Sequence, residues 1–151
     1  MLLKDYIPNV NKKFRNIFFS GISFDSKSVK KNNIFFAIKG NEIDGNKFIP
    51  LAIKKGSKII VSEKKFKKKH NGIIYLDTDN IRKLLADVSF KIYKKKPENL
   101  IAVTGTNGKS SIANFYYQIL KLNKKKVASI GTLGIKTNNL NLKLDNTTID
   151  T

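Results

Sequence analysis

The stretch Asn99-Leu100-Ile101-Ala102-Val103-Thr104-Gly105-Thr106-Asn107-Gly108-Lys109-Ser110-Ser111-Ile112 decides how the rest of the chain is read. Its apolar opening predicts a strand over 99–103, and the glycines at 105 and 108 predict a tight turn. Ile112, Phe115, Tyr116, Ile119 and Leu120 then recur at helical spacing, to about Asn123. A glycine loop between strand and helix suits phosphate. Glycine lets the backbone bring its N–H groups against phosphate oxygens, and the positive end of the following helix points to the same place. Lys109 can reach β- and γ-phosphates, and the Ser110 hydroxyl can ligate magnesium. The common phosphate-loop spacing requires a glycine at 103, where this chain has Val, so the loop is the shorter G-x-x-G-K-S form. As a bare pattern it also fits a glycine turn with an incidental lysine. Its placement favours an ATP or GTP site.

Working outward, strand-like and helix-like runs alternate, as in βα units around a largely parallel sheet. Asn33–Ile38, Ser57–Ser62 and Gly72–Leu76 read as strands. Phe48, Leu51, Ala52 and Lys55 mark a helix stopped by Gly56. Ile81, Leu84, Leu85, Val88, Ile92 and Tyr93 mark another, with Asp79 as its predicted N-cap. Lys94-Lys95-Lys96-Pro97 ends that helix and sets a domain boundary: cations suit a helix C-terminus and proline stops the helix. Beyond the glycine loop, Val127–Ile130 reads as a strand and Asn139–Leu144 as an exposed strand or hairpin arm. The expected fold class is α/β: a Rossmann-like N-terminal domain over 1–97, then the beginning of a P-loop ATP-binding α/β domain over 98–151. The latter is short for an independent doubly wound domain, so a truncated chain is expected.

Composition narrows the function. The chain has 30 Lys+Arg against 11 Asp+Glu, a formal charge of +19, which would ordinarily suggest nucleic acid or an anionic membrane. However, 28 of those 30 are Lys; with 20 Ile and 17 Asn they make up 65 of 151 residues, all encoded by A/T-rich codons. Base bias alone explains much of the charge. Zero Cys excludes disulfides, thiolate metal sites and cysteine nucleophiles, and the single His70 excludes a multi-histidine centre. No apolar run approaches the roughly 18 residues that span a bilayer. Met1–Pro8 lacks the apolar stretch of a signal peptide. A soluble, cytoplasmic chain without membrane insertion is expected.

Val103–Ser111, with its short spacing, resembles the ATP loop of the Mur ligases, the amide-forming enzymes of peptidoglycan synthesis. Three further stretches, Asp25–Val29, Asn33–Gly40 and Asp44–Ala52, resemble the nucleotide-sugar domain of the third and fourth ligases of that series. Ile130-Gly131-Thr132-Leu133-Gly134 and Asn146-Thr147-Thr148 resemble the third. The resemblance implies an enzyme that adds a diamino acid, meso-diaminopimelate or L-lysine, to UDP-N-acetylmuramoyl-L-alanyl-D-glutamate through an acyl phosphate. It implies ATP and magnesium as cofactors and a monomer. By position, Phe24, Ser26, Asn41, Glu42 and Ile43 would contact the uridine diphosphate. Gly105, Thr106, Asn107, Gly108, Lys109, Ser110 and Ser111 would hold ATP, with Lys109 as the catalytic cation and Ser110 on magnesium. Asn146, Thr147 and Thr148 would hold the muramoyl-peptide part. The amino-acid-binding C-terminal domain, the carboxylated lysine and further metal ligands of the family match nothing in this chain. The fragment alone is therefore expected not to complete the ligation. Ser110-Ser111 stands where the third ligases commonly carry Thr-Thr, and Ile149 where many relatives carry Pro.

Other readings stay beside these. Asp25 and Ser26 also suit a turn. Asp77 and Asp79 have a spacing that could suit metal, although capping explains Asp79 as well. The Lys64–Lys69 run and His70 read as a solvated surface. Two alternatives remain for function: the fourth, dipeptide-adding ligase, and a basic nucleic-acid-binding module whose glycine loop cradles backbone phosphate. The near-absence of Arg, and the lack of aromatics interleaved on a basic stripe, argue against nucleic acid as partner.

Overall fold

The computed structural model describes residues 1–40, 43–66 and 72–143. The chain divides into two compact units, Met1–Lys96 and Pro97–Thr151. The first holds a four-stranded sheet of β1 (Gly21–Ser23), β2 (Asn33–Phe36), β3 (Ile59–Ser62) and β4 (Ile74–Asp77), in that spatial order. Every pairing is parallel, with Ile22 opposite Ile34, Ile34 opposite Ile59, and Ile59 opposite Ile74. The two central strands are buried at every residue. A parallel sheet covered on both faces demands this, and it is why these segments read as unbroken apolar runs. Alternate residues feed opposite faces. Phe35 and Ile60 pack with Val29, Ala37 and Ala52 on one side. Ile34, Phe36, Ile59 and Val61 pack with Leu3, Phe19, Ile81, Leu85 and Val88 on the other.

Three helices complete this unit: α1 (Leu3–Tyr6), α2 (Ile49–Lys54) and α3 (Ile81–Ile92). A 3-10 turn over Gly45–Phe48 leads into α2. Winding at three residues per turn, it shifts the phase of the helix. Ala52, Ile49 and Ile53 therefore meet the sheet, while Phe48 and Leu51, expected on the packed face, are exposed. Gly56 ends the helix with φ +98°, and its carbonyl accepts from the Asn32 amide at 2.8 Å. The N-cap of α3 is Asn80, not Asp79: the Asn80 side-chain oxygen accepts from the Lys83 amide at 2.9 Å. Of the predicted α3 face, Ile81, Leu85 and Val88 are buried and Tyr93 is exposed.

The second unit contains α4 (Lys109–Leu122), β5 (Ala128–Gly131), β6 (Gly134–Thr137) and β7 (Asn141–Leu142). Its strands pair antiparallel in the order β5-β6-β7. The strand expected over 99–103 is not formed. A strand needs a neighbouring ladder, and among the described residues no strand pairs with this run, whose Leu100 is 88% exposed. The predicted apolar face of α4 is likewise open: Ile112, Phe115, Tyr116 and Ile119 are exposed and Leu120 is half-buried. Tyr117 is the buried residue of the helix, and its hydroxyl donates to the Thr137 carbonyl at 2.8 Å, tying α4 to the hairpin.

Both hydrophobic clusters lie wholly within residues 1–96. That segment made alone is therefore expected to unfold cooperatively at the same urea midpoint as in the full chain. Hydrogen exchange should find the same slow amides in β2 and β3. A broadened or much lower midpoint would show that the first unit's core depends on the second.

Candidate functional site

Each unit presents one candidate site. In the first, the parallel strands all point their carboxyl ends the same way, and open α/β sheets take ligands outside those ends. The loop after β1 carries Phe24 and Ser26. It is fixed by Asp25, whose carbonyl accepts from the hydroxyls of Ser23 (2.7 Å) and Ser28 (3.0 Å) and whose carboxylate accepts from the Lys27 amide (2.8 Å). Phe24 is 47% exposed. Ser26 is buried, yet among the described residues its hydroxyl has no hydrogen-bond partner, whereas the buried Ser23, Ser57 and Ser62 all use their hydroxyls. No enclosed side-chain polar atom is left unpaired among the described residues, so the Ser26 hydroxyl keeps access to solvent.

The loop after β2 folds back on itself. The Gly40 amide donates to the Ile43 carbonyl and the Gly45 amide to the Ile38 carbonyl, both at 2.8 Å. Ile43 is exposed; Asn41 and Glu42 lie outside the described residues. The base of this loop is held by a polar circuit that sequence reasoning did not single out. The Asp44 carboxylate accepts from the Asn46 amide (3.0 Å) and side-chain N–H (2.7 Å) and pairs with the Lys64 ammonium at 2.5 Å. Ser62, at the end of β3, donates to Asn46 Oδ1 at 2.7 Å and accepts from the Lys64 amide at 3.0 Å. Asp-Gly-Asn after an apolar run was the available signal, since Asp and Asn bond to local backbone.

The Lys64 ammonium, with the two Asn46 N–H groups, holds the Asp44 carboxyl well below the usual carboxylate range. A carboxyl lowered by folding stabilises fully above its unfolded value, near 4, and loses that contribution as pH falls toward its folded value. Asp44→Asn should therefore cost about 1 kcal/mol at neutral pH, a modest figure because Lys64 is largely solvated. The difference from the parent should shrink progressively below about pH 4. Urea titrations at several pH values check this; a cost independent of pH would rule out the ion pair as its source.

In the second unit, the glycine loop enters α4. Gly105 has φ +147° and Gly108, the helix N-cap, φ +75°. A Cβ at Gly108 would meet nothing within 4 Å, so the backbone conformation, not space, selects glycine there. Among the described residues no protein acceptor takes the amides of Gly105, Thr106, Asn107, Gly108, Lys109, Ser110 or Ser111. These exposed donors stand at the positive end of a 14-residue helix. Lys109 folds back over them, its ammonium bonding the carbonyls of Gly105 and Thr106, the latter at 3.0 Å.

Ser110 is bound to a residue that the sequence reading did not assign a role, Thr132, with 3.1 Å between the hydroxyl oxygens. Thr132 sits in the turn joining β5 to β6, where Gly134 has φ +85° and a Cβ would lie 2.1 Å from the Leu142 carbonyl oxygen. The Gly-Thr-Leu-Gly hairpin therefore supports the loop from one side. Asn146, Thr147, Thr148 and His70 lie outside the described residues. No group of three or more His, Asp or Glu among the described residues could hold a metal alone. Magnesium, which keeps waters and takes phosphate oxygens with few protein ligands, is compatible with a single hydroxyl such as that of Ser110. No described helix is long and apolar enough to cross a membrane.

The family model described as Mur ligase family, catalytic domain, matches residues 19–105, which include all four parallel strands. The chain is 43% identical over 128 residues to a protein of Rickettsia prowazekii (strain Madrid E) named UDP-N-acetylmuramoyl-L-alanyl-D-glutamate--2,6-diaminopimelate ligase, covering 85% of this chain and 26% of the relative. A protein of the same name from Buchnera aphidicola subsp. Schizaphis graminum is 40% identical, over 77% of this chain and 25% of its own length. The chain thus spans about a quarter of the length of these curated relatives. Among solved structures, a ligase of that name superposes with a TM-score of 0.77 over 99% of this chain and 31% of its own, at 24% identity, a likeness of fold. The MurF ligase of Thermotoga maritima, solved with ADP, covers 70% of this chain and 24% of its own, at 28% identity and a TM-score of 0.54.

Proposed function

The chain belongs to the Mur ligase family, and from that premise we propose that it forms part of an ATP-dependent ligase that adds a diamino acid to UDP-N-acetylmuramoyl-L-alanyl-D-glutamate. Residues 1–97 are the UDP-sugar-binding domain and 98–151 the beginning of the ATP-binding domain. The observation that carries this proposal is the run of unpaired amides at the start of α4 with Lys109 folded over it. Relatives at 40–43% identity, named as diaminopimelate ligases, favour diaminopimelate over lysine and over the dipeptide of the fourth ligase.

When bound, ATP with magnesium supplies the phosphoryl group that converts the D-glutamate side-chain carboxylate to an acyl phosphate, from which the incoming amine displaces phosphate. The amides of Gly105–Ser111 hold the phosphate oxygens, fixed in place before the charge arrives. The Lys109 ammonium, which bonds the carbonyls of Gly105 and Thr106, would supply positive charge to the phosphates. The Ser110 hydroxyl would be one magnesium ligand, oriented by its hydrogen bond to Thr132. In the first unit Phe24, Ser26 and the Asn41-Glu42-Ile43 segment hold the uridine diphosphate; Asn146, Thr147 and Thr148 hold the muramoyl peptide.

Calorimetric titration of the chain with the UDP-sugar dipeptide tests the first unit. Ser26→Ala should weaken binding about tenfold, the worth of one hydrogen bond to a charged group, and leave stability unchanged because its hydroxyl has no partner among the described residues. Binding equal to the parent would remove Ser26 from the site. A folded chain that binds neither this ligand nor ATP, and instead binds DNA with steep salt dependence, would overturn the function itself.

A further inference from the structure

The opposite end of the first unit, where β1 begins, carries a second concentration of charge that the ligase chemistry does not use. Two shallow hollows flank α1. Lys91, Lys94 and Lys96 line one and Lys4, Lys12 and Arg15 the other, against a single carboxylate, Asp5. The fold brings them together. The Lys4 amide donates to the Arg15 carbonyl at 3.0 Å, and the Lys91 ammonium clamps the last turn of α3 to α1 through the carbonyls of Asp5 (3.0 Å) and Tyr6 (3.3 Å). On that same turn Phe90 and Tyr93, three residues apart, are 63% and 64% exposed, and Lys96 stands over the Phe90 ring.

We propose that this end of the first unit is a docking surface for an anionic lipid bilayer. Lysines are point charges that suit an unpatterned carpet of lipid phosphates, and exposed aromatics beside them suit the headgroup level. Nucleic acid fits less well. It is read by Arg forks and by stacking on free ring faces. This patch has one Arg. The substrate edge of the sheet lies at the strands' other ends and stays open while this surface is engaged.

Co-sedimentation of the 151-residue chain with vesicles tests the proposal. The chain should pellet with phosphatidylglycerol–phosphatidylcholine vesicles and stay in solution with phosphatidylcholine alone. Each lysine near an anionic surface contributes about fivefold to partitioning, so Lys94→Gln with Lys96→Gln should weaken it about 25-fold, and Phe90→Ser should weaken it further. The comparison is Lys125→Gln with Lys126→Gln, which removes the same charge from the second unit and should have much less effect. An equal loss in both variants would mean that diffuse net charge is responsible and overturn the assignment. So would tighter binding to duplex DNA than to the anionic vesicles at the same ionic strength.

Discussion

Gly45→Ala is expected to destabilise the first unit by about 3 kcal/mol or more, the range of overpacking against parts that cannot yield. A Cβ at position 45 would lie 2.3 Å from the Ile38 carbonyl oxygen and 2.8 Å from its nitrogen. Those atoms are backbone, so no side chain can rotate away. Relief requires the loop after β2 to separate from its own start, which breaks the Gly45 to Ile38 hydrogen bond and disturbs the Asp44 circuit beside it. For a urea slope of about 1.5 kcal/mol per M, the midpoint should fall by about 2 M. Gly72→Ala is the informative comparison. Gly72 has φ +78° but nothing within 4 Å of its Cβ position, so only the left-handed conformation is penalised, at about 1–2 kcal/mol. Equal losses at the two positions would show that the close approach at Gly45 is relieved at little cost. Because the same loop presents Ile43, Gly45→Ala should also weaken binding of the UDP-sugar.

The two positions illustrate which parts of this protein its sequence declares. Central strands β2 and β3 are written as apolar runs because both faces of a parallel sheet are covered, and the fold class follows from them. β1 is only three residues long, too short to carry a period, and appears through its pairing with β2. On α2, Ala52 is buried as its spacing predicts, but Phe48 and Leu51 are not, because a 3-10 turn precedes the helix and its shift of phase is not visible in residue spacing. The apolar run over 99–103 has strand composition, but a strand is a relation between segments, and no described strand pairs with it. Candidate site residues divide in the same way. Gly105, Gly108 and Lys109 are legible because local geometry dictates them. Thr132 and the Asp44–Asn46–Ser62–Lys64 circuit act across loops, so only the fold reveals them. The exceptional status of Ser26 is likewise structural, since a serine in a turn is ordinary until its hydroxyl has no partner among the described residues.

Replacing Lys109 should have the largest effect on nucleotide binding. The side chain has two separable roles: its ammonium bridges the carbonyls of Gly105 and Thr106, and its charge is what phosphate would meet at the start of α4. Lys109→Gln keeps an N–H donor able to reach a loop carbonyl but removes the charge; Lys109→Ala removes both. A hydrogen bond to a charged group is worth about 1.5–3 kcal/mol, so Lys109→Gln should weaken magnesium-ATP binding by roughly 10- to 150-fold in calorimetric titration. ADP should lose less than ATP, because Lys109 is proposed to reach the γ-phosphate as well as the β. Global stability should not change in either variant, since the loop is exposed and the clusters of buried apolar residues lie in the first unit. If Lys109→Ala alone weakens ATP while Lys109→Gln binds like the parent, the lysine serves loop shape and the free amides of Gly105–Ser111 hold the phosphates without it. If neither variant weakens ATP, the glycine turn is only a connection between segments. The proposed ligase chemistry would then lose its centre.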